Sequence, residues 1–300
     1  MIILNKKLLI ITILLTIIYK ISINKDTNFI MPEKFTINSN IYYVDLDYDN
    51  KHIKLPLEDY VIGVVAAEMP ASFELEALKA QGIAARTYFV NMMSTMKKIK
   101  TDTTFQVYID KNKMKDKWGE KYEYYYNKIS SAVLSTKEKI LTYNDEPIKA
   151  FYYSMSNGYT ESSINVFNEN YDYLTIKESK WEQDNEQVKT MTKVEFCKLL
   201  SIDCNNINIS NIKLDKSQRV ATITINNKNF SGVEVRQKLS LRSTDFTIEQ
   251  QGDLINIITK GYGHGVGMSQ YGAHGMAKVG YSYEEILMHY YTGTKLVKKD

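Results

Sequence analysis

The chain has 300 residues, about two domains' worth on the usual size prior. Its 44% hydrophobic and 24% charged content, with only 4 prolines and 14 glycines, excludes a disordered, collagenous or low-complexity chain. The 38 basic and 35 acidic side chains leave a net charge of +3, too weak a field to hold a polyanion, so nucleic acid is not an expected partner.

Lys6 and Lys7 precede an apolar run from Leu8 to Tyr19, which resumes after Lys20 at Ile21 and Ile23. As a helix, Leu8 to Ile23 spans roughly 24 Å against about 30 Å of hydrocarbon, a shortfall that snorkelling of Lys20 and bilayer adjustment absorb. The competing reading is a cleaved signal peptide, but an A-x-A-like site is missing between Tyr19 and Asn40. Residues 1–30 are therefore expected to form an uncleaved membrane anchor and its flank, basic end inside, with the folded part outside the cytoplasm. Residues 31–50 read as a polar linker around a strand-like Ile41-Tyr-Tyr-Val44.

From Leu55 to Ala67 the pattern predicts a helix that opens with Pro56 and two acids and is ended by Pro70. Ser72 is placed to cap a second helix, with Leu75, Leu78, Gly82, Ala85 and Phe89 on one face and Arg86 as a charged guest. Extended runs follow at Phe105–Ile109, Lys139–Tyr143 and Ile148–Ser154, with a helix over Lys121–Ser135. In a separate lobe, Lys193–Leu200 reads as helix, and Val220–Ile225 alternates as a strand before an Asn226-Asn227 turn. Cys197 and Cys204, the two cysteines, are either plain thiols or one bridge. The fold class is α+β and two-lobed: a core of residues 51–180 plus 245–300, an inserted lobe over 181–244, and one N-terminal transmembrane helix before them.

Three segments could carry chemistry. Glu68 ends an apolar helix with no counter-charge beside it, so burial would favour a neutral carboxyl able to protonate a glycosidic oxygen; a carboxylate pointing to water is the plainer alternative. Arg86 needs an acceptor, either Glu68 or a substrate. Tyr152, Ser154, Ser156, Gly158 and Thr160 suit a sugar, with hydroxyls for its edge and rings for its face, although a small polar turn looks the same. The closing Gly261-Tyr-Gly-His-Gly-Val-Gly-Met-Ser-Gln-Tyr271 fits neither nucleotide-binding glycine register. Its His264, Ser269, Gln270 and Tyr271 are expected to line a groove, the glycines letting the loop pack beside the acid. His264 and His274 lack clustered ligands, so no metal or other cofactor is expected.

Three stretches carry a family resemblance: Leu55-Pro-Leu-Glu-Asp-Tyr-Val-Ile-Gly-Val-Val-Ala-Ala-Glu-Met-Pro70, Glu76-Ala-Leu-Lys-Ala-Gln-Gly-Ile-Ala-Ala-Arg-Thr-Tyr88 and Gly263-His-Gly-Val-Gly-Met-Ser-Gln-Tyr-Gly-Ala273. In this order they resemble the stage II sporulation protein D family, with weaker matches at Ser179–Trp181 and Leu239–Phe246. The resemblance implies a membrane-anchored lytic transglycosylase at the mother-cell engulfing septum, cutting peptidoglycan glycan strands already stripped of stem peptides. It places the catalytic acid at Glu68 and matches Arg86, and it implies stage II sporulation proteins P and M as partners. Some relatives carry a histidine and two cysteines resembling a zinc site, the cysteines flanking the segment before Gln-Val-Tyr. Here Thr101-Asp-Thr-Thr-Phe-Gln-Val-Tyr108 has no cysteine, so no zinc is expected. Ser217-Gln-Arg-Val220 also departs from relatives that place a glycine there. The domain resembles amidase enhancers as well, which leaves a glycan-binding activator of a hydrolase as the alternative.

Overall fold

The computed structural model describes residues 43–93, 99–100, 106–182 and 186–298. The expected membrane anchor and most of the expected linker lie outside the described residues, as does Thr101–Phe105. No helix among the described residues is long and apolar enough to cross a membrane.

Strands β1 (Tyr43–Tyr48) and β2 (Lys51–Pro56) form a hairpin. Its turn residues, Asp49 and Asn50, both take positive φ (54° and 61°), as a two-residue turn between twisted strands requires. Val44, Leu46 and Tyr48 alternate into the core, so this part of the expected linker is folded structure. Strand β3 (Ile99–Lys100) joins β1 in parallel.

Helix α1 (Leu57–Glu68) starts at Pro56 and ends where Met69, ahead of Pro70, turns to extended geometry (φ −118°, ψ 140°). Helix α2 (Leu75–Met93) begins three residues after Ser72, whose expected capping role falls away; Leu78 N–H instead bonds the Glu74 carbonyl. The sequence suggests one apolar face for α2, yet it is buried nearly all round from Ala77 to Phe89. Its small residues, Ala77, Ala80, Gly82, Ala84 and Ala85, let neighbours close on every side, the signature of a central helix. Those neighbours include α1, α4 (Tyr122–Ser135), α8 (Gln270–Lys278), α9 (Tyr283–Tyr290) and β4 (Lys139–Tyr143). Helix α3 (Lys111–Trp118) is capped by Asp110, whose Oδ1 accepts Lys113 N–H at 2.8 Å. Strand β4 pairs with β5 (Glu146–Pro147) and with the last described strand, β14 (Lys295–Lys298).

The expected strand over Phe105–Ile109 is no sheet member in its described part. Ile109 N–H bonds the Gly63 carbonyl at 3.3 Å, so residues 106–110 lie along α1. Tyr108 takes the space above Gly63, where a Cβ would come 2.2 Å from its ring.

A second apolar core belongs to the lobe. Strand β7 (Glu186–Thr192) pairs with β12 (Leu254–Lys260), and β12 with β11 (Asp245–Gln251). A second sheet joins β8 (Ile209–Leu214), β9 (Val220–Ile225) and β10 (Lys228–Ser231), with the Asn226-Asn227 turn at positive φ. Helices α6 (Lys193–Leu200) and α7 (Gly232–Lys238) complete it. Phe246, Ile255 and Ile257 lie in this core, so it draws on residues beyond 244. Cys197 and Cys204 are joined by a disulfide, their Cα atoms 5.6 Å apart.

Candidate active site

Glu68 is half-buried at the C-terminal end of α1, and its Oε1 accepts the Val107 N–H at 2.9 Å. Lys117, near the end of α3, donates from Nζ to the Ala66 carbonyl at 2.8 Å, which brings a cation to the same helix end. Burial pushes the Glu68 carboxyl above its usual range, while the Val107 bond and the Lys117 charge pull it down. Lys117 is itself lowered by burial, with Glu68 opposing. A carboxyl raised in this way keeps its proton to higher pH than an ordinary glutamate does.

Gln106, buried between neighbours of Glu68, donates from Nε2 to Tyr152 Oη at 3.1 Å and to the Ala85 carbonyl at 3.3 Å. Its Oε1 accepts from the Tyr60 hydroxyl at 3.2 Å. Burial first, and the Glu68 charge second, raise the pKa of both tyrosines. Tyr152 is thus the one residue of its segment that this network ties to the acid.

The remaining expected residues come together from two segments. Strand β6 (Tyr152–Tyr153) pairs in parallel with β13 (Met268–Ser269), and bridges at Met155–Tyr262 and Glu161–Val266 continue the contact. Gly267 (φ +80°) makes it possible, because a Cβ there would sit 1.9 Å from the Phe151 carbonyl. The glycine loop therefore packs on residues 151–161, with Met268 paired to Tyr152, the residue that feels the Glu68 charge.

Ser156, Thr160, Ser269 and Gln270 are buried, and their polar groups bond protein atoms. Ser156 Oγ donates to the Ser179 carbonyl, and Thr160 Oγ1 donates to the Thr175 carbonyl. Ser269 caps α8 by accepting Gly272 N–H at 3.2 Å, and Gln270 Nε2 donates to Gln81 Oε1 at 3.4 Å. In this structure all four are committed to internal bonds. Gly158 (φ +109°) accepts Ser179 N–H through its carbonyl. His264 lies among Phe151, Tyr153 and Phe167, its Nδ1 accepting Val266 N–H at 3.0 Å. Burial and the Arg236 charge push its pKa down to about 4, so it is neutral at physiological pH. Ser154 is half-buried and Tyr271 is 37% exposed, its ring edge-on to Phe73, so these two keep surface that a ligand can reach.

Arg86, only 1% exposed, pairs with Glu58 and not with Glu68. Its Nε and Nη2 hold the two Glu58 oxygens at 3.0 and 2.5 Å, while Nη1 and Nη2 also donate to the carbonyls of Lys139 and Val133. The Glu68 partner left open by the sequence gives way to Glu58, in a clamp between α1, α2, α4 and β4.

A family profile described as "Stage II sporulation protein" matches residues 49–143. The chain is 43% identical over 259 residues to stage II sporulation protein D of Bacillus subtilis, covering 82% of this chain and 76% of that one. The chain belongs to the stage II sporulation protein D family. A second member, from Bacillus amyloliquefaciens, is 42% identical over 82% of this chain and 75% of its own length. An amidase enhancer of Bacillus subtilis is 31% identical over 78% of this chain and 40% of its own.

The span matched by the stage II sporulation protein profile holds Glu68, Gln106, Lys117 and the Glu58–Arg86 pair. Three of these escape sequence reasoning. Gln106 carries no periodic signal, and Lys117 reads as one lysine in the run Lys111-Asn-Lys-Met-Lys-Asp-Lys117. Glu58 reads as an ordinary first-turn helix acid. A basic residue in the last turn of α1 would have flagged a helix-end cation, but that cation comes from another helix.

Proposed function

We propose that this protein is a lytic transglycosylase that cuts peptidoglycan glycan strands lacking stem peptides during forespore engulfment. The observation that carries the reading is a half-buried Glu68 whose burial favours the acid form, beside a backbone N–H and a lysine that stabilise the carboxylate. Glu68 gives its proton to the glycosidic oxygen as the bond from C1 breaks. As carboxylate it takes the proton of the muramic C6 hydroxyl, whose oxygen closes on C1 to form the 1,6-anhydro ring. One carboxyl serves both steps, and no water is consumed. Tyr152 and Tyr60 are tied together through Gln106, the residue before the Val107 whose N–H holds Glu68.

The accompanying proposals are a single-pass anchor in the first 30 residues, an extracytoplasmic domain at the engulfing septum, and partnership with stage II sporulation proteins P and M. The Cys197–Cys204 disulfide supports the location, because such bridges persist in oxidising compartments.

The test is Glu68→Gln on purified strands freed of stem peptides. Production of anhydro-muramic ends should drop by on the order of 10²- to 10⁴-fold. Reducing muramic ends from the unmodified protein would replace transglycosylation with hydrolysis. The likeness to an amidase enhancer favours a second reading, a glycan-binding activator that cuts nothing. In that case Glu68→Gln leaves stimulation of a partner amidase intact and the unmodified protein forms no new ends.

A further inference from the structure

Residues 106–110 run along α1 away from the acid: Val107 N–H holds Glu68, Ile109 N–H holds the Gly63 carbonyl, and Asp110 follows. At that far end a cavity of about 300 Å³ opens, walled in part by Asp59, Ile62, Tyr108, Asp110, Lys111 and Tyr126. Three residues of extended chain place it roughly 10 Å from Val107. Its volume is at the low end for ligand clefts, about 300–1,000 Å³, and suits one small unit of a longer ligand.

The lining is held in place before any ligand arrives. Tyr108 stacks on Tyr60 at 5.8 Å and meets Tyr48 edge-on at 5.0 Å, while Lys111 Nζ stands 5.0 Å over the Tyr126 ring. Two rings, packed against Tyr60 and Tyr122, add apolar surface to the wall, two carboxylates accept from hydroxyl or amide N–H, and one ammonium donates. With Asp59 and Asp110 against Lys111, the wall charge favours a neutral unit over one bearing a carboxylate.

We infer that this cavity is a sugar subsite taking an uncharged N-acetylhexosamine unit of the strand whose linkage lies at Glu68. A muramic unit freed of its peptide carries a lactyl carboxylate and is disfavoured there. The cavity thereby helps set which of the two alternating linkages meets the acid. This deepens the glycan-cutting reading and rests on it.

The experiment measures binding of N-acetylchitotetraose, a neutral oligomer, to the full chain carrying Glu68→Gln, so that nothing is cut. Asp59→Ala and Tyr126→Ala are then each added to that background. Loss of a hydrogen bond to a charged group or of a ring that carries Lys111 should weaken binding by about tenfold. A loss of about threefold or more in both supports the subsite, and a smaller loss in either overturns it. If a variant fails to fold, ring proton shifts decide: those of Tyr108 and Tyr126 must move on titration of the parent, and unmoved shifts overturn the assignment. Cutting is scored separately with Glu68 intact. Absent anhydro ends with weakened binding in the variants removes the transglycosylase and keeps the pocket; normal cutting with unchanged binding does the reverse.

Discussion

In the proposed reaction the Glu68 carboxyl releases a proton and then recovers another, so its two forms need similar free energies at the working pH. Burial favours the acid, while the Val107 N–H and the Lys117 charge favour the anion. Since the first step requires the protonated form, cutting should fall as pH rises through the elevated Glu68 pKa. Lys117→Met removes the cation, which raises that pKa further and moves the alkaline limb of the pH–rate profile to higher pH. The same change strips the Ala66 carbonyl of its donor, at a cost of about 0.3–1 kcal/mol for a lost cation at a helix C-terminus. A limb that stays in place, or moves to lower pH, would separate Lys117 from the acid.

Beside their shared apolar core, helices α1 and α2 are joined by one buried fork, Arg86 on Glu58. Arg86→Ala leaves the Glu58 carboxylate and two backbone carbonyls without their donor, and the domain should lose about 3–5 kcal/mol in urea unfolding. Replacing both partners with Met should recover most of that loss, because the unpaired charge goes with its partner. In the folded fraction of Arg86→Ala the KM for stripped strands should be unchanged; a large rise would restore a substrate role. Elements of this kind differ in how far they can be read from sequence. The start and end of α1 follow from Pro56 and Pro70, and the 220–231 hairpin from alternation and Asn226-Asn227, because their causes are local. Residues 106–110 and the Glu58–Arg86 pair are opaque because their partners sit 39 and 28 positions away. Glu68 and Tyr152 stand out by chemistry, but Ser156, Thr160 and Ser269 do not: small hydroxyl residues serve a sugar groove and a tight internal turn equally well.

At the scale of the whole molecule, two apolar cores are joined by a polar seam next to the glycine loop. Glu161 enters from the 152–161 segment of the first core, while Asp215 and Ser217 enter from the β8–β9 connection of the lobe. Ser217 Oγ lies 2.6 Å from Glu161 Oε2 and 2.6 Å from Asp215 Oδ1, with buried Arg219 two residues on. Burial, then hydrogen bonding to Asp215, push Glu161 above its usual range. Asp215, which burial alone would raise, is held below its own range by bonds from Glu161 and Ser217. A carboxyl raised on folding adds stability that is complete below its unfolded pKa and is lost as pH rises through the folded value. The lowered Asp215 acts in the opposite sense, its contribution disappearing as pH falls through its folded pKa. The two opposite shifts favour the proton on Glu161 and the charge on Asp215. Glu161→Gln places a permanent neutral donor at the seam, so the loss of stability from mildly acidic to alkaline solution should be smaller in the variant than in the parent. Urea midpoints collected across that range test it: curves that run parallel would show that the proton between the lobes contributes nothing to holding them together.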